Sequence, residues 1–411
     1  MREEYQALID DISASLGTPA TLEDRDFTLI AFGAHEGQEG APDADLDPVR
    51  TRSILQRRST AAVRKWFESF GITRARAPVR IPPDPSAGVR TGRLCIPVRH
   101  GGVVYGYVWL LDDGAPALDD PRVARAQQTA TRIGALLAAE ARAGAHAGEL
   151  LREVLTGPAG SRAEAAEALR STSGAVAAAP LAMVAIRPWH VGELRGSASA
   201  GPTGIPGVAA QCALPESSAL AVLTRLRAAG VPAPAEGVAK RLLAAPSGGG
   251  GSGSAGGPGR TPEAASPAGT AAEAFGGVSA LRGDLAGTAA AAWEEALVAA
   301  RAAAAEPERF GRVVAWDAIG PYRLLGRLPA AAAPDEAVRH LFEPGQREMA
   351  RTAEAFLDRA GQAGRTAADL GIHRQTLYYR LGRVERLTGL RLDDGADRLL
   401  LHVALKAARL G

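Results

Sequence analysis

Apolar and polar positions in the first part of the chain follow helical spacing at some places and strand spacing at others. The stretch 26–33 is a short apolar run that predicts a strand, and 47–71 predicts one or two helices. A preceding N-terminal helix is indicated by apolar residues three and four apart: Tyr5, Leu8, Ile9, Ile12 and Leu16.

The clearest strand signal lies between residues 92 and 114. The apolar runs Leu94–Val98 and Val103–Leu111 flank the sequence RHGG, which is typical of a hairpin turn. The order of helix, strand, helix, hairpin and helix predicts an α+β domain with a central antiparallel sheet over residues 1–145. The last helix has one broad apolar stripe, formed by Val123, Ala126, Ala130, Ile133, Leu136 and Leu137.

Residues 146–328 predict a second, α/β domain. Its patterns indicate a helix at 148–157, a buried strand at 181–188 and a helix at 215–230, and later a short strand followed by a long Ala-rich helix. Residues 245–270 are rich in Gly, Ser and Pro, and such a composition buries too little apolar surface to offset the entropy of ordering. We expect this run to be a disordered insertion.

Residues 330–411 predict an all-α domain. Apolar residues recur with helical spacing throughout, and Gly residues punctuate the segment. Five helices are expected, at 334–344, 345–361, 364–371, 373–389 and 395–410.

Composition narrows the classes of function. The net charge is only +2, so contact with nucleic acid requires a local basic patch. The two cysteines are far apart, and no Cys/His spacing is typical of a metal site, so we expect neither a metal nor another cofactor. The charged N-terminus lacks the apolar core of a signal peptide, and no apolar run is long enough for a membrane span. A reducing cytoplasm is the expected location.

A basic patch is present near the C-terminus. Between Arg365 and Arg391 there are six arginines against two acids, a local charge of +4. On a helix over 374–388, the apolar residues Leu377, Leu381 and Val384 share one sector with Thr388. The opposite sector has long hydrogen-bond donors and no carboxylate, and it contains Gln375, Thr376, Tyr379, Arg383 and Arg386, with Arg380 at its edge.

The preceding residues suit a helix-turn-helix. Ala367 is small where two helices must cross, and Gly371 permits the positive φ of a tight turn between helices. Arg side chains recognise guanine, Gln recognises adenine, and arginines farther along the helix bind phosphates. The alternative interpretation is a solvated basic face on a pair of helices that only pack together. We predict a DNA-contacting set of Arg365, His373, Arg374, Gln375, Thr376, Tyr379, Arg380, Arg383 and Arg386.

The segment TAADLGIHRQTLYYRLGRVERLTGL, followed by LDDGADRLLLHVALKAARL, resembles the C-terminal helix-turn-helix of the PucR/CdaR family of bacterial transcription regulators. The resemblance implies sequence-specific binding of double-stranded DNA by a homodimer. Gln375 stands where the family usually has Asn, and Tyr378 and Gly382 occupy positions that are often basic.

The other two domains also show resemblances. Residues 146–328 resemble the degenerate GGDEF-like domain of CdaR-type regulators, but the sequence FGGVS lacks the acid pair of a nucleotide cyclase, so Gly276 and Gly277 are interpreted as backbone turns. The N-terminal domain resembles a GAF-type sensor, which implies a small-molecule effector of unknown identity. Its candidate pocket residues are Trp66, Phe70, Cys95, Tyr105, Tyr107 and Trp109.

Three functions remain open from the sequence. The first is a cytoplasmic DNA-binding transcription regulator that is not an enzyme. The second is a nucleotide-binding or signalling enzyme of the GGDEF class that works through the middle domain. The third is an interaction scaffold whose terminal helices bind protein.

Overall fold

The computed structural model describes residues 2–33, 48–57, 59–112, 114, 116–172, 179–189, 205–244, 273–328 and 335–410. The described residues form two compact units, one through His146 and one from Ala147 onward. The predicted insertion at 245–270 lies outside the described residues.

The first unit has a five-stranded sheet in which every neighbouring pair is antiparallel, in the order β2-β1-β5-β4-β3. The predicted hairpin is confirmed, with Gly101 and Gly102 at its turn, both at positive φ. The run at 26–33 contains one strand, and it pairs with an earlier strand that the spacing did not reveal. The strands are β1 (Ala20–Asp24), β2 (Leu29–Phe32), β3 (Val79–Ile81), β4 (Gly92–His100) and β5 (Val103–Asp112).

Helices cover both faces of this sheet. Alternate strand residues such as Leu22 and Val108 pack with α1 and α4 on one face. Residues of opposite orientation, such as Cys95 and Trp109, pack with α2 and α3 on the other face. These helices are α1 (Arg2–Leu16), α2 (Pro48–Gln56), α3 (Ala61–Glu68) and α4 (Pro121–Thr156).

Helix α4 is continuous for 36 residues, where the sequence pattern predicted two separate helices. Gly148, at the expected start of the second helix, lies inside α4. A Cβ at this position would lie 2.6 Å from the backbone oxygen of Gln211. The glycine therefore allows a close approach of backbone and does not mark a helix boundary.

The second unit has a mixed five-stranded sheet in the order β10-β9-β6-β8-β7, with only β10 and β9 parallel. The helix predicted at 215–230 is wrong, because its core, Ala219–Arg225, is a strand between two partners. Alternate apolar side chains of this segment are buried on both faces of the sheet, so an apolar run of this length fits a strand. The strands are β6 (Leu181–Arg187), β7 (Val208–Leu214), β8 (Ala219–Arg225), β9 (Phe275–Ala280) and β10 (Val313–Ala315).

Gly276 and Gly277 are strand residues, so their interpretation as turns is wrong. Both lie inside β9, and neither has a positive φ. A Cβ on Gly277 would clash with the backbone oxygen of Ala296 and the backbone nitrogen of Ala300. The glycine thus permits close packing of strand on helix. The helices of this part are α5 (Ala159–Thr172), α6 (Ala233–Ala244), α7 (Leu285–Ala305), α8 (Pro307–Phe310) and α9 (Tyr322–Leu325).

The end of the chain is helical, as predicted, and most of its buried apolar residues form one core. The expected first helix is a 3₁₀ helix, Glu336–Phe342. Across the described ranges, no helix combines the length and apolarity that crossing a membrane requires. The α-helices are α10 (Arg347–Asp358), α11 (Ala363–Leu370), α12 (Arg374–Thr388) and α13 (Gly395–Arg409).

Candidate nucleic-acid interface

Helices α11 and α12 form a helix-turn-helix. Gly371 ends α11 in the left-handed region, at φ +64°, and the N–H of Ile372 donates to the carbonyl of Ala367 at 3.0 Å. His373 caps α12, because its Nδ1 accepts a hydrogen bond from the backbone N–H of Gln375 at 3.3 Å. The predicted roles of Ala367 and Gly371 in the turn agree with this geometry.

The predicted buried sector of α12 is observed. Leu377, Leu381 and Val384 are buried in the core of the helical domain, and Thr388 is half-buried. These contacts fix the rotation of α12 about its axis, so the opposite sector must face outward.

The outward sector is basic and carries no acid. Tyr379 is 64% exposed, and Arg374 at the helix start is also exposed. Glu385 is half-buried, and its carboxylate accepts a hydrogen bond from the N–H of Leu392 at 2.8 Å. Eight of the nine predicted DNA-contacting residues are exposed, namely Arg365, His373, Arg374, Gln375, Thr376, Tyr379, Arg383 and Arg386.

Arg380, the ninth residue, is half-buried and contacts Glu348 on α10 at 2.5 Å. The acid on α11, Asp369, is paired with Arg359 and therefore adds little negative charge to the neighbouring face. Arg386 donates from Nε to the carbonyl of Gly382 at 3.2 Å, and its guanidinium stays exposed.

Two residues of this face were absent from the predicted contact set. Tyr378 is 61% exposed, nearly as much as Tyr379, although it lies on the edge of the sector. Among the described residues, no atom outside the backbone of α12 itself lies within 4 Å of where a Cβ on Gly382 would stand. The sequence offered a signal for Tyr378, because it lies about 100° around the helix from Leu377, outside the narrow apolar sector that the buried residues of α12 already form.

The candidate pocket residues of the first unit belong mostly to one aromatic cluster. Cys95, Tyr107 and Trp109 are buried in it, and Trp66 and Phe70 pack against it. Tyr105 is half-buried and is not among the residues of this cluster. Rings lie close together, with 4.6 Å between the centroids of Phe67 and Trp109. Burial raises the pKa of the Cys95 thiol, as expected of a buried apolar residue.

A polar cleft beside this cluster was not found from the sequence. It lies between the sheet and helices α2 and α3, and it is lined by Glu23 of β1, Arg93 of β4 and Ser53 of α2. Glu23 is only 5% exposed, and burial is the main cause that raises its pKa to about 8. Its strand was not predicted, so the pattern gave no sign that Glu23 faces inward.

Comparison with known proteins bears on the C-terminal domain. Residues 349–407 match the family described as the PucR C-terminal helix-turn-helix domain. The match covers α11, the turn and α12, and it confirms the family resemblance that the sequence indicated.

Curated relatives match over segments of similar length, 58 and 59 residues. The carbohydrate diacid regulator of Escherichia coli is 48% identical over 58 residues, which are 14% of this chain and 15% of the relative. A protein of the pkwA 5′ region of Thermomonospora curvata is 42% identical over 59 residues, 14% of this chain and 33% of the relative. The matched segment thus spans a third or less of either relative.

One solved structure aligns more widely. The regulator of polyketide synthase expression from Bifidobacterium adolescentis aligns with 65% of this chain and 98% of its own, at 17% identity and a TM-score of 0.28.

Proposed function

We propose that this chain is a sequence-specific DNA-binding transcription regulator. Its DNA-binding element is the helix-turn-helix formed by α11 and α12, with α12 as the recognition helix. The observation that carries the proposal is the outward sector of α12, which presents arginines, Gln375, Thr376 and Tyr379 and has no exposed carboxylate. The match of residues 349–407 to a PucR-type domain supports the same function.

The residues of this sector have separable roles. Gln375 and Thr376, in the first turn of α12, have the side chains and position for reading base edges in the major groove. Arg383 and Arg386, farther along the helix, are placed to bind phosphates, as is Arg365 on α11. Because such domains bind paired half-sites about one helical turn apart, the active form is a homodimer.

The two other parts of the chain supply regulation. The first unit is a GAF-like sensor, which is supported by its antiparallel sheet and by the helices on both faces. The middle part is a degenerate GGDEF-like domain that relays the signal. The packing of Gly277 against α7 speaks against a phosphate-binding turn there, and therefore against a nucleotide cyclase working through those glycines.

The test is selection of bound sequences from a random DNA pool by the full-length protein at two salt concentrations. An enriched motif with dyad symmetry is expected. Binding without enrichment would show that the protein contacts only the DNA backbone, since phosphate contacts carry no direct sequence information. Absence of binding at both salts would favour a scaffold that contacts protein.

A further inference from the structure

One lysine is buried where the last helix of the DNA-binding domain meets the middle domain. Lys406, on α13, is 4% exposed. Its Nζ lies 2.5 Å from Glu306 Oε1, 3.0 Å from Glu354 Oε1 and 2.9 Å from Asp358 Oδ2. Glu306 lies between α7 and α8 of the middle domain, whereas Glu354 and Asp358 belong to α10. The ammonium group therefore joins carboxylates from two domains.

Lysine suits this position better than arginine would. Lysine and arginine together number 47 in the chain, and lysine occurs only at Lys65, Lys240 and Lys406. An ammonium group is compact and has three donors, which suits three converging carboxylates, whereas the planar guanidinium of arginine suits a two-pronged contact with one.

Neighbouring contacts hold the same junction. Arg409 donates to Glu354 and, from Nη1, to the carbonyl of Ala305 at 3.3 Å. Arg301 of α7 donates to the carbonyl of Leu410 at 3.1 Å. The side chain of Leu410 packs into the apolar core of the middle domain.

Helix α10 connects this junction with the recognition helix α12. Near its C-terminal end, Glu354 and Asp358 contact Lys406. Near its N-terminal end, Glu348 contacts Arg380 of α12. A rotation of α10 relative to the middle domain would therefore turn α12 with it.

We propose that Lys406 is a positioning residue for DNA recognition, which fixes the angle at which the middle domain presents the recognition helix. The proposal rests on the proposed function. In a dimer, that angle sets the spacing between the two half-sites that are read together. Lys406 is buried and lies outside α12, so its loss relaxes the preference for one spacing and leaves the contacts within one half-site intact.

The first experiment measures the angle directly. Spin labels are placed on Lys240→Cys in α6 and Ala368→Cys in α11, both at exposed positions of the full-length chain. The native Cys95 and Cys212 are buried, which protects them from labelling. Lys406→Met is expected to widen the distance distribution at least twofold, and Lys65→Met, which removes an exposed charge in the first unit, is expected to leave it unchanged.

The second experiment repeats the DNA selection with the same variants. Lys406→Met is expected to accept several half-site spacings while its affinity for a single half-site stays within twofold of the original. An unchanged distance distribution overturns the proposal, and so does a widened one with unchanged spacing preference. If Lys406→Met does not fold, Glu306→Gln weakens the same junction from the middle-domain side and has the same expected results.

The two proposals fail separately. If the unsubstituted protein selects no DNA motif, the proposed function is wrong whatever the spin labels show. If it selects a motif with one spacing and Lys406→Met selects the same spacing, the function stands and the role of Lys406 is wrong.

Discussion

Arg380 of the recognition helix contacts Glu348 of helix α10 at 2.5 Å. The side chain of Arg380 is 18% exposed, whereas that of Glu348 is 62% exposed, so the arginine is the more buried residue of the pair. The contact ties α12 to α10, and it places a carboxylate near the face that we propose for DNA. Arg380 thus has a structural role besides any contact with DNA.

Removing that carboxylate is expected to strengthen binding to DNA. Glu348→Ala frees Arg380 for a phosphate, which should make the negative slope of log affinity against log salt steeper by up to about one unit. The expected loss in the free energy of unfolding is small, about 0.2–1 kcal/mol, because the pair is partly exposed. Fluorescence anisotropy at several salt concentrations measures the slope. The matched control is Glu343→Ala, an exposed acid of the same domain that pairs with His340; equal slopes for both variants would contradict the prediction.

Gly382 is expected to be a weak point of the recognition helix. Apart from the backbone of α12, no atom in the described part of the chain lies within 4 Å of a Cβ built there, and glycine costs a helix up to about 1 kcal/mol relative to alanine. Gly382→Ala should therefore slow hydrogen exchange along α12. Gly371→Ala is the contrasting variant, since its φ of +64° disfavours alanine and exchange should become faster. If Gly382→Ala speeds exchange, this account of the helix is wrong.

Gly277 is expected to tolerate no side chain. Gly277→Ala forces a Cβ against the backbone of α7 and should lower the free energy of unfolding by about 1–3 kcal/mol or more. Gly237→Ala, in an open position on α6, should be neutral or slightly stabilising. Hydrogen exchange in β9 and α6 reports both effects, and similar protection in the two variants would refute the close packing.

Glu23 is expected to make the first unit less stable as pH rises. Its pKa is about 8 in the folded chain, against an ordinary value of 4.5, so the folded state keeps a proton that the unfolded state has lost between these values. Stability from this group is therefore fully present below about pH 4.5 and is lost as the pH rises through about 8, by at most about 1.4 kcal/mol per pH unit. Glu23→Gln should flatten that dependence.

Hydrogen exchange in β1 and β5 at pH 5.5 and 8.5, corrected for intrinsic rates, measures the effect of Glu23. The variant should be better protected than the unsubstituted protein at the higher pH. Glu3→Gln, at an exposed position of α1, is the matched control. An equal pH dependence for Glu23→Gln and the unsubstituted protein would show that Glu23 is ionised in the folded chain.

The sequence predicted those features that a local pattern of apolar and polar residues specifies. The hairpin between β4 and β5 follows from two apolar runs that flank the sequence RHGG, and the buried face of α12 follows from Leu377, Leu381 and Val384. The segment Ala219–Arg225 was predicted incorrectly because an apolar run of its length suits either a strand or a helix, and only its neighbours β6 and β7 decide between them.

Local sequence patterns could not predict contacts between residues that are far apart in the chain. Lys406 and Glu306 are 100 residues apart, and nothing near either residue in the sequence indicates the other. The residues around Gly277 likewise give no sign that a small residue is required there. The requirement comes from packing against α7. Glu23 is likewise inward-facing only because β1 pairs with β5 across more than 80 residues of sequence.

The most direct test of the account compares two arginines of the same domain. Arg383 lies on the proposed DNA face of α12, whereas Arg391 lies beyond that helix and pairs with Asp393. With the selected operator, Arg383→Ala should weaken binding and lower the salt slope by about one unit, and Arg391→Ala should change neither appreciably. If Arg383→Ala binds like the unsubstituted protein, or if both variants lose affinity equally, the outward face of α12 is not the surface that binds DNA.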